Sequence, residues 1–113
     1  METAMQDAKT LMEALGLTVE SGGPKGKYPR ATPGPARGYR YWGNVMEDKY
    51  RFGLQSQPKA ELSDELIAAF KARGFQIMPA KTEAYMWLGS DFGGAVDRAK
   101  VTMATIEAVL KAA

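Results

Sequence analysis

Residues 62–88, LSDELIAAFKARGFQIMPAKTEAYMWL, decide the fold of this chain. Ser63 can accept a hydrogen bond from the first free N–H groups of a helix, and Asp64 and Glu65 suit that helix's positive end. Leu62 is placed to staple against Ile67. Leu66, Ile67 and Phe70 supply an apolar face, and Lys71 and Arg73 favour the last turn. Gly74 then fits the left-handed stop that lets Phe75 fold back on Phe70. The segment predicts a helix over residues 63–73. Residues 75–78 and 84–88 read as two short strands around the turn Pro79-Ala80-Lys81-Thr82-Glu83.

Upstream, residues 39–46 and 49–55 predict another hairpin turning at Glu47-Asp48. Tyr50, Phe52 and Leu54 alternate with Arg51 and Gly53. In the partner strand Tyr39 and Tyr41 face one way, Arg40 and Trp42 the other. Downstream, residues 89–94 read as a turn and residues 95–111 as a helix with the stripe Val96, Ala99, Met103, Ile106 and Leu110. That stripe spans barely two heptads, which favours covering a sheet over forming a dimer seam. At the other end Met5, Ala8, Met12 and Leu15 predict a helix over residues 3–15 stopped by Gly16. Leu17, Thr18 and Val19 suit a short strand. Half of residues 21–38 are Gly or Pro, so this segment is expected to be a long loop or arm and neither helix nor central strand.

These elements predict one α+β domain over residues 1–113. Its two β-hairpins form a small, mostly antiparallel sheet, and the helices at 63–73 and 95–111 cover one face. The N-terminal helix is expected to pack at an end or to mediate self-association, as a monomer or homodimer. A chain of 113 residues buries roughly 65% of its unfolded surface, enough for a modest core.

Composition narrows the chemistry. The chain has no cysteine and no histidine. Disulfides, thiolate metal sites and Ser–His or Cys–His catalysis are thereby excluded. No apolar run approaches the roughly 20 residues of a membrane span. The acidic, polar start METAMQDAKT is unlike a signal peptide. A cytoplasmic protein with no membrane contact is expected. The net charge is only +2, but residues 24–51 carry seven Lys or Arg against two Asp or Glu. Such local asymmetry suits an acidic or polyanionic partner.

Residues 50–88 resemble a small βαββα domain that recurs in phage and plasmid proteins. The resemblance rests on Lys71, Gly74, Phe75, Pro79 and Ala84. Where that family has two further aromatic positions, this chain has Ile77 and Tyr85. The pattern is also similar to the strand–helix–hairpin of the annealing-helicase accessory domain, which contacts DNA. The resemblance implies a mobile-element setting, beside antirestriction, replication or conjugation modules, and no particular chemistry.

The candidate binding residues lie in the basic segment. Lys25, Lys27, Arg30, Arg37, Arg40, Lys49 and Arg51 alternate with Tyr28, Tyr39, Tyr41, Trp42 and Tyr50. Basic groups neutralise phosphates, and aromatic rings stack bases at roughly 1–3 kcal/mol each. The plainer reading is a structural hairpin with a solvated charged face. GGPKGK at residues 22–27 lacks both the leading glycine and the trailing Ser or Thr of a P-loop. Asp64 and Glu65 are explained by the helix dipole, and Asp91 and Asp97 lack a third metal ligand. No catalytic residue, metal or cofactor is expected. The leading expectation is a non-enzymatic accessory protein that binds DNA or RNA. The alternatives are a small inhibitor that binds a host defence or replication enzyme, and a structural or self-associating protein.

Overall fold

The computed structural model describes residues 7–20, 29–57 and 60–112. Its elements run α1 (Ala8–Ala14), β1 (Thr18–Glu20), β2 (Arg30–Thr32), β3 (Tyr39–Met46), β4 (Lys49–Ser56), α2 (Asp64–Ala72), β5 (Gln76–Ile77), β6 (Glu83–Gly89) and α3 (Phe92–Ala112). The strands form one antiparallel sheet in the order β1-β2-β3-β4-β6-β5. The fold is therefore α+β, as the two hairpin patterns and the capped helix predict.

Local chemistry accounts for the element ends. Ser63 accepts from the Leu66 N–H. At the other end of α2 the Phe75 N–H donates to the Phe70 carbonyl and the Gly74 N–H to that of Lys71, with Gly74 at φ 88°. The Phe70 and Phe75 rings meet at 5.0 Å between centroids, closing the expected Schellman ending. The β3–β4 hairpin turns on Glu47 and Asp48, both left-handed with φ of 54° and 60°. Two successive left-handed residues define a type I′ turn, which strongly prefers Asn-Gly. Replacing Glu47 by Asn and Asp48 by Gly is expected to raise stability by about 1 kcal/mol. Urea unfolding checks this: the midpoint should rise with an unchanged slope.

All three helices pack on one face of the sheet. Leu11 and Met12 of α1, Leu66 and Phe70 of α2, and Ala95, Ala99, Ile106 and Val109 of α3 join Tyr41, Tyr50, Phe52, Leu54, Ala84 and Leu88 in one core. The N-terminal helix lies toward the β1 end of the sheet, beside α3; contacts run from α1 to β1, β3 and α3. The buried row of α3 is Ala95, Ala99, Thr102, Ile106 and Val109, so the helix is rotated slightly from the expected stripe. Thr102 tolerates burial because its hydroxyl donates to the Arg98 carbonyl. The same helix begins at Phe92, three residues before the expected start. Asp91 accepts from the Gly94 N–H and turns the two glycines into a first helical turn.

One expectation is overturned. Within the Gly/Pro-rich segment, Arg30, Ala31 and Thr32 form β2, an internal strand between β1 and β3. Three residues free of Gly and Pro lie between Pro29 and Pro33, so both prolines flank the ladder without breaking it. Ala31, fully buried in the core, is the anchor. Residues 21–28 of that segment lie outside the described residues. No helix among the described residues is long and apolar enough to cross a membrane.

Candidate nucleic-acid interface

Strand alternation sends a second set of side chains to the face away from the helices. Arg30, Trp42, Gly53, Tyr85 and Gln76 form one row across β2, β3, β4, β6 and β5. Asn44, Arg51 and Trp87 form the next, and Arg40, Gln55 and Glu83 flank on the other side. Trp42 is 1% exposed, yet it belongs to no part of the helix-side core.

What buries Trp42 is its own row. Strands two apart are about 10 Å apart, but the Trp42 and Tyr85 rings approach to 5.8 Å, edge to face. They lean together over Gly53, which has no side chain to hold them apart. The Trp42 indole N–H donates to the Leu54 carbonyl at 3.1 Å and fixes the ring. Trp87 packs edge-on against Tyr85 at 5.8 Å. Arg51 lies among these three rings, its guanidinium carbon 4.8 Å from the Tyr85 centroid, 5.3 Å from Trp42 and 5.4 Å from Trp87. Its Nε donates to Asn44 Oδ1 at 2.8 Å. Arg51 is consequently 4% exposed, and Tyr50 to Ser56 of β4 are buried throughout. A sheet face with no helix on it among the described residues is sealed by a cation–aromatic layer.

Solvent reaches the rim of this layer. Trp87 is 37% exposed and Met46, at the end of β3, 39%, while Tyr85, Arg30 and Arg40 are half-buried. Arg30 and Arg40 are close neighbours: burial, and then the charge of Arg30, push the Arg40 guanidinium below its usual pKa, while Glu20 opposes the shift. Arg40 Nε donates to Gln55 Oε1 at 3.2 Å. The Arg30 Nε is buried and has no hydrogen-bond partner among the described residues. Two adjacent guanidinium groups concentrate positive charge at this rim, where an anion would be favoured.

The candidate residues of the sequence divide accordingly. Arg30, Arg40, Trp42 and Arg51 come together on the helix-free face. Lys49 is exposed at the β3–β4 turn and Arg37 in the β2–β3 connection, at opposite ends of β3. Tyr41 is a packing residue: it is 1% exposed and stacks on Phe52 at 5.3 Å and 19°. Burial foremost, with the nearby charge of Glu107, raises its pKa. Tyr39 also turns toward the core, so neither tyrosine is available for stacking on the open face. Lys25 and Lys27 lie outside the described residues.

Comparison with known proteins gives no match: no family model, curated protein or solved structure is similar to this chain. The face must therefore be read from its own chemistry. Tyr85, Trp87, Asn44 and Gln55 belong to it and are absent from the candidates drawn from sequence. Among the described residues no group of three acidic side chains could hold a metal ion.

Proposed function

We propose that the protein is a non-enzymatic nucleic-acid-binding accessory protein and that the helix-free face of the sheet is its contact surface. The observation that carries this reading is the pairing of Arg30 and Arg40, both half-buried, with the partly exposed rings of Tyr85 and Trp87 on the same face of the sheet. Phosphates satisfy the first pair and bases stack on the second. The exposed cations Arg37 and Lys49 extend the charge along β3, whose eight residues span roughly 25 Å. Arg51 holds the rings in place from beneath. The mobile-element setting rests on the resemblance of residues 50–88.

The face is not uniformly basic, since Glu20 and Glu83 share it. Affinity is therefore expected from a few defined contacts and not from bulk charge. With Arg30, Arg37, Arg40 and Lys49 each meeting one phosphate, anisotropy of a labelled single-stranded oligonucleotide should give a log K against log salt slope of about −3. A slope near zero, or no binding at low salt, would contradict the reading.

A further inference from the structure

Among the described residues the sheet ends at β5, whose two residues pair on one side only, with β6. The Met78 N–H donates to the Glu83 carbonyl, so alternation turns the N–H and C=O of Ile77 away from β6. A groove of about 560 Å³ runs along this edge, beneath α2. Ile67, Phe75, Ile77 and Met78 supply its apolar lining, and Lys71 and Lys81 supply its charge. No acidic side chain of the described residues lines it. Both lysines are exposed, while Ile67 and Ile77 are only half-buried.

We infer that this edge takes an extended acidic peptide segment of a partner protein as an added strand. Three features converge on that occupant. The outward backbone groups of Ile77 offer main-chain hydrogen bonds to an extended chain. The period-2 alternation of such a chain sends every second side chain beneath α2, onto Ile67 and Ile77, where an apolar residue fits. The two lysines share that lining with Ile67 and Ile77, with no carboxylate among the described residues opposing them there, so they match acidic side chains two residues before and after the apolar one, on the same face of the added strand. The apolar lining lies on the other face of the sheet from the aromatic–arginine layer: Ile77 and Phe75 face the helices, whereas Trp42 and Arg51 face away, and Gln76 at the edge borders both. It does not depend on the nucleic-acid reading.

The test is fluorescence anisotropy of a fluorescein-labelled heptapeptide, Thr-Glu-Thr-Val-Thr-Glu-Thr, whose valine and two glutamates share one face of the strand, titrated with the full-length chain. Saturable binding is expected. Charge reversal at Lys71→Glu and Lys81→Glu should weaken it at least about tenfold, equivalent to about 1.4 kcal/mol. A second peptide, N-methylated on alternate backbone amides, leaves the protein untouched and should also lose binding, since the added strand cannot pair. Equal binding of a lysine-for-glutamate peptide, retention of binding by the N-methylated peptide, displacement by an oligonucleotide, or no saturation would each overturn the inference. Self-association of the chain through this edge, seen as dimers that the peptide does not dissolve, would do so as well.

Discussion

Gly53→Ala is expected to destabilise the protein by about 4 kcal/mol, a large share of the stability of a domain of this size. A Cβ at this position would fall 1.8 Å from the Ala84 carbonyl oxygen and 2.6 Å from the Tyr85 Cα. Both obstacles are backbone of the neighbouring strand, so no rotamer change relieves them. Strand β6 would have to leave β4, and with it the pairing that carries β5. The contrast with Gly74→Ala is instructive. There the nearest atoms are the Met86 methyl and sulfur at about 4 Å, and the penalty is conformational, at φ 88°. That substitution should cost only about 1–2 kcal/mol. Urea unfolding of the two variants side by side checks the difference; equal costs would mean that β4 and β6 do not approach as closely as the structure has them.

Arg51→Ala should produce the second-largest loss, about 2–4 kcal/mol, from the hydrogen bond to Asn44 and the desolvated contacts with three rings. Removing the guanidinium also leaves Asn44 Oδ1 without that donor and a void under Trp42. Arg51→Lys is expected to recover only part of the loss, because an ammonium is neither planar nor able to lie among three rings while donating sideways. The accompanying signal is optical. Trp42 and Trp87 both border Arg51, so tryptophan emission should shift to the red in Arg51→Ala as water enters the layer. Unchanged stability and emission would show that the guanidinium contributes nothing to the ordering of the rings.

Most of the scaffold is legible in the chain. The Ser63 cap, the Lys71–Gly74–Phe75 ending and the alternation of Tyr50, Phe52 and Leu54 are local signals, and each fixes an element without help from distant residues. Strand β2 is hidden because Pro29 and Pro33 dominate its neighbourhood, and pairing with β1 and β3 overrides local preference. The site is less legible. Arg30 and Arg40 stand out by charge, but Tyr41 resembles Trp42 in sequence and differs only in which face of β3 it occupies. In β6, Ala84, Tyr85, Met86, Trp87 and Leu88 are all apolar, so alternation alone does not say which set faces the helices. The signal that resolves them is long-range: Tyr85 lies across Gly53 from Trp42, and Trp87 lies opposite Arg51.

The most direct test of the nucleic-acid surface is a tryptophan fluorescence titration with a single-stranded oligonucleotide, comparing the wild-type chain with Arg30→Glu/Arg40→Glu. Trp87, at 37% exposure, reports contact on this face, whereas Trp42 is shielded. The account predicts saturable quenching in the wild type that weakens steeply with added salt and disappears in the double variant while its unfolding midpoint stays close to wild type. Quenching that persists undiminished after both charges are reversed, or its absence in the wild type at low salt, would contradict it.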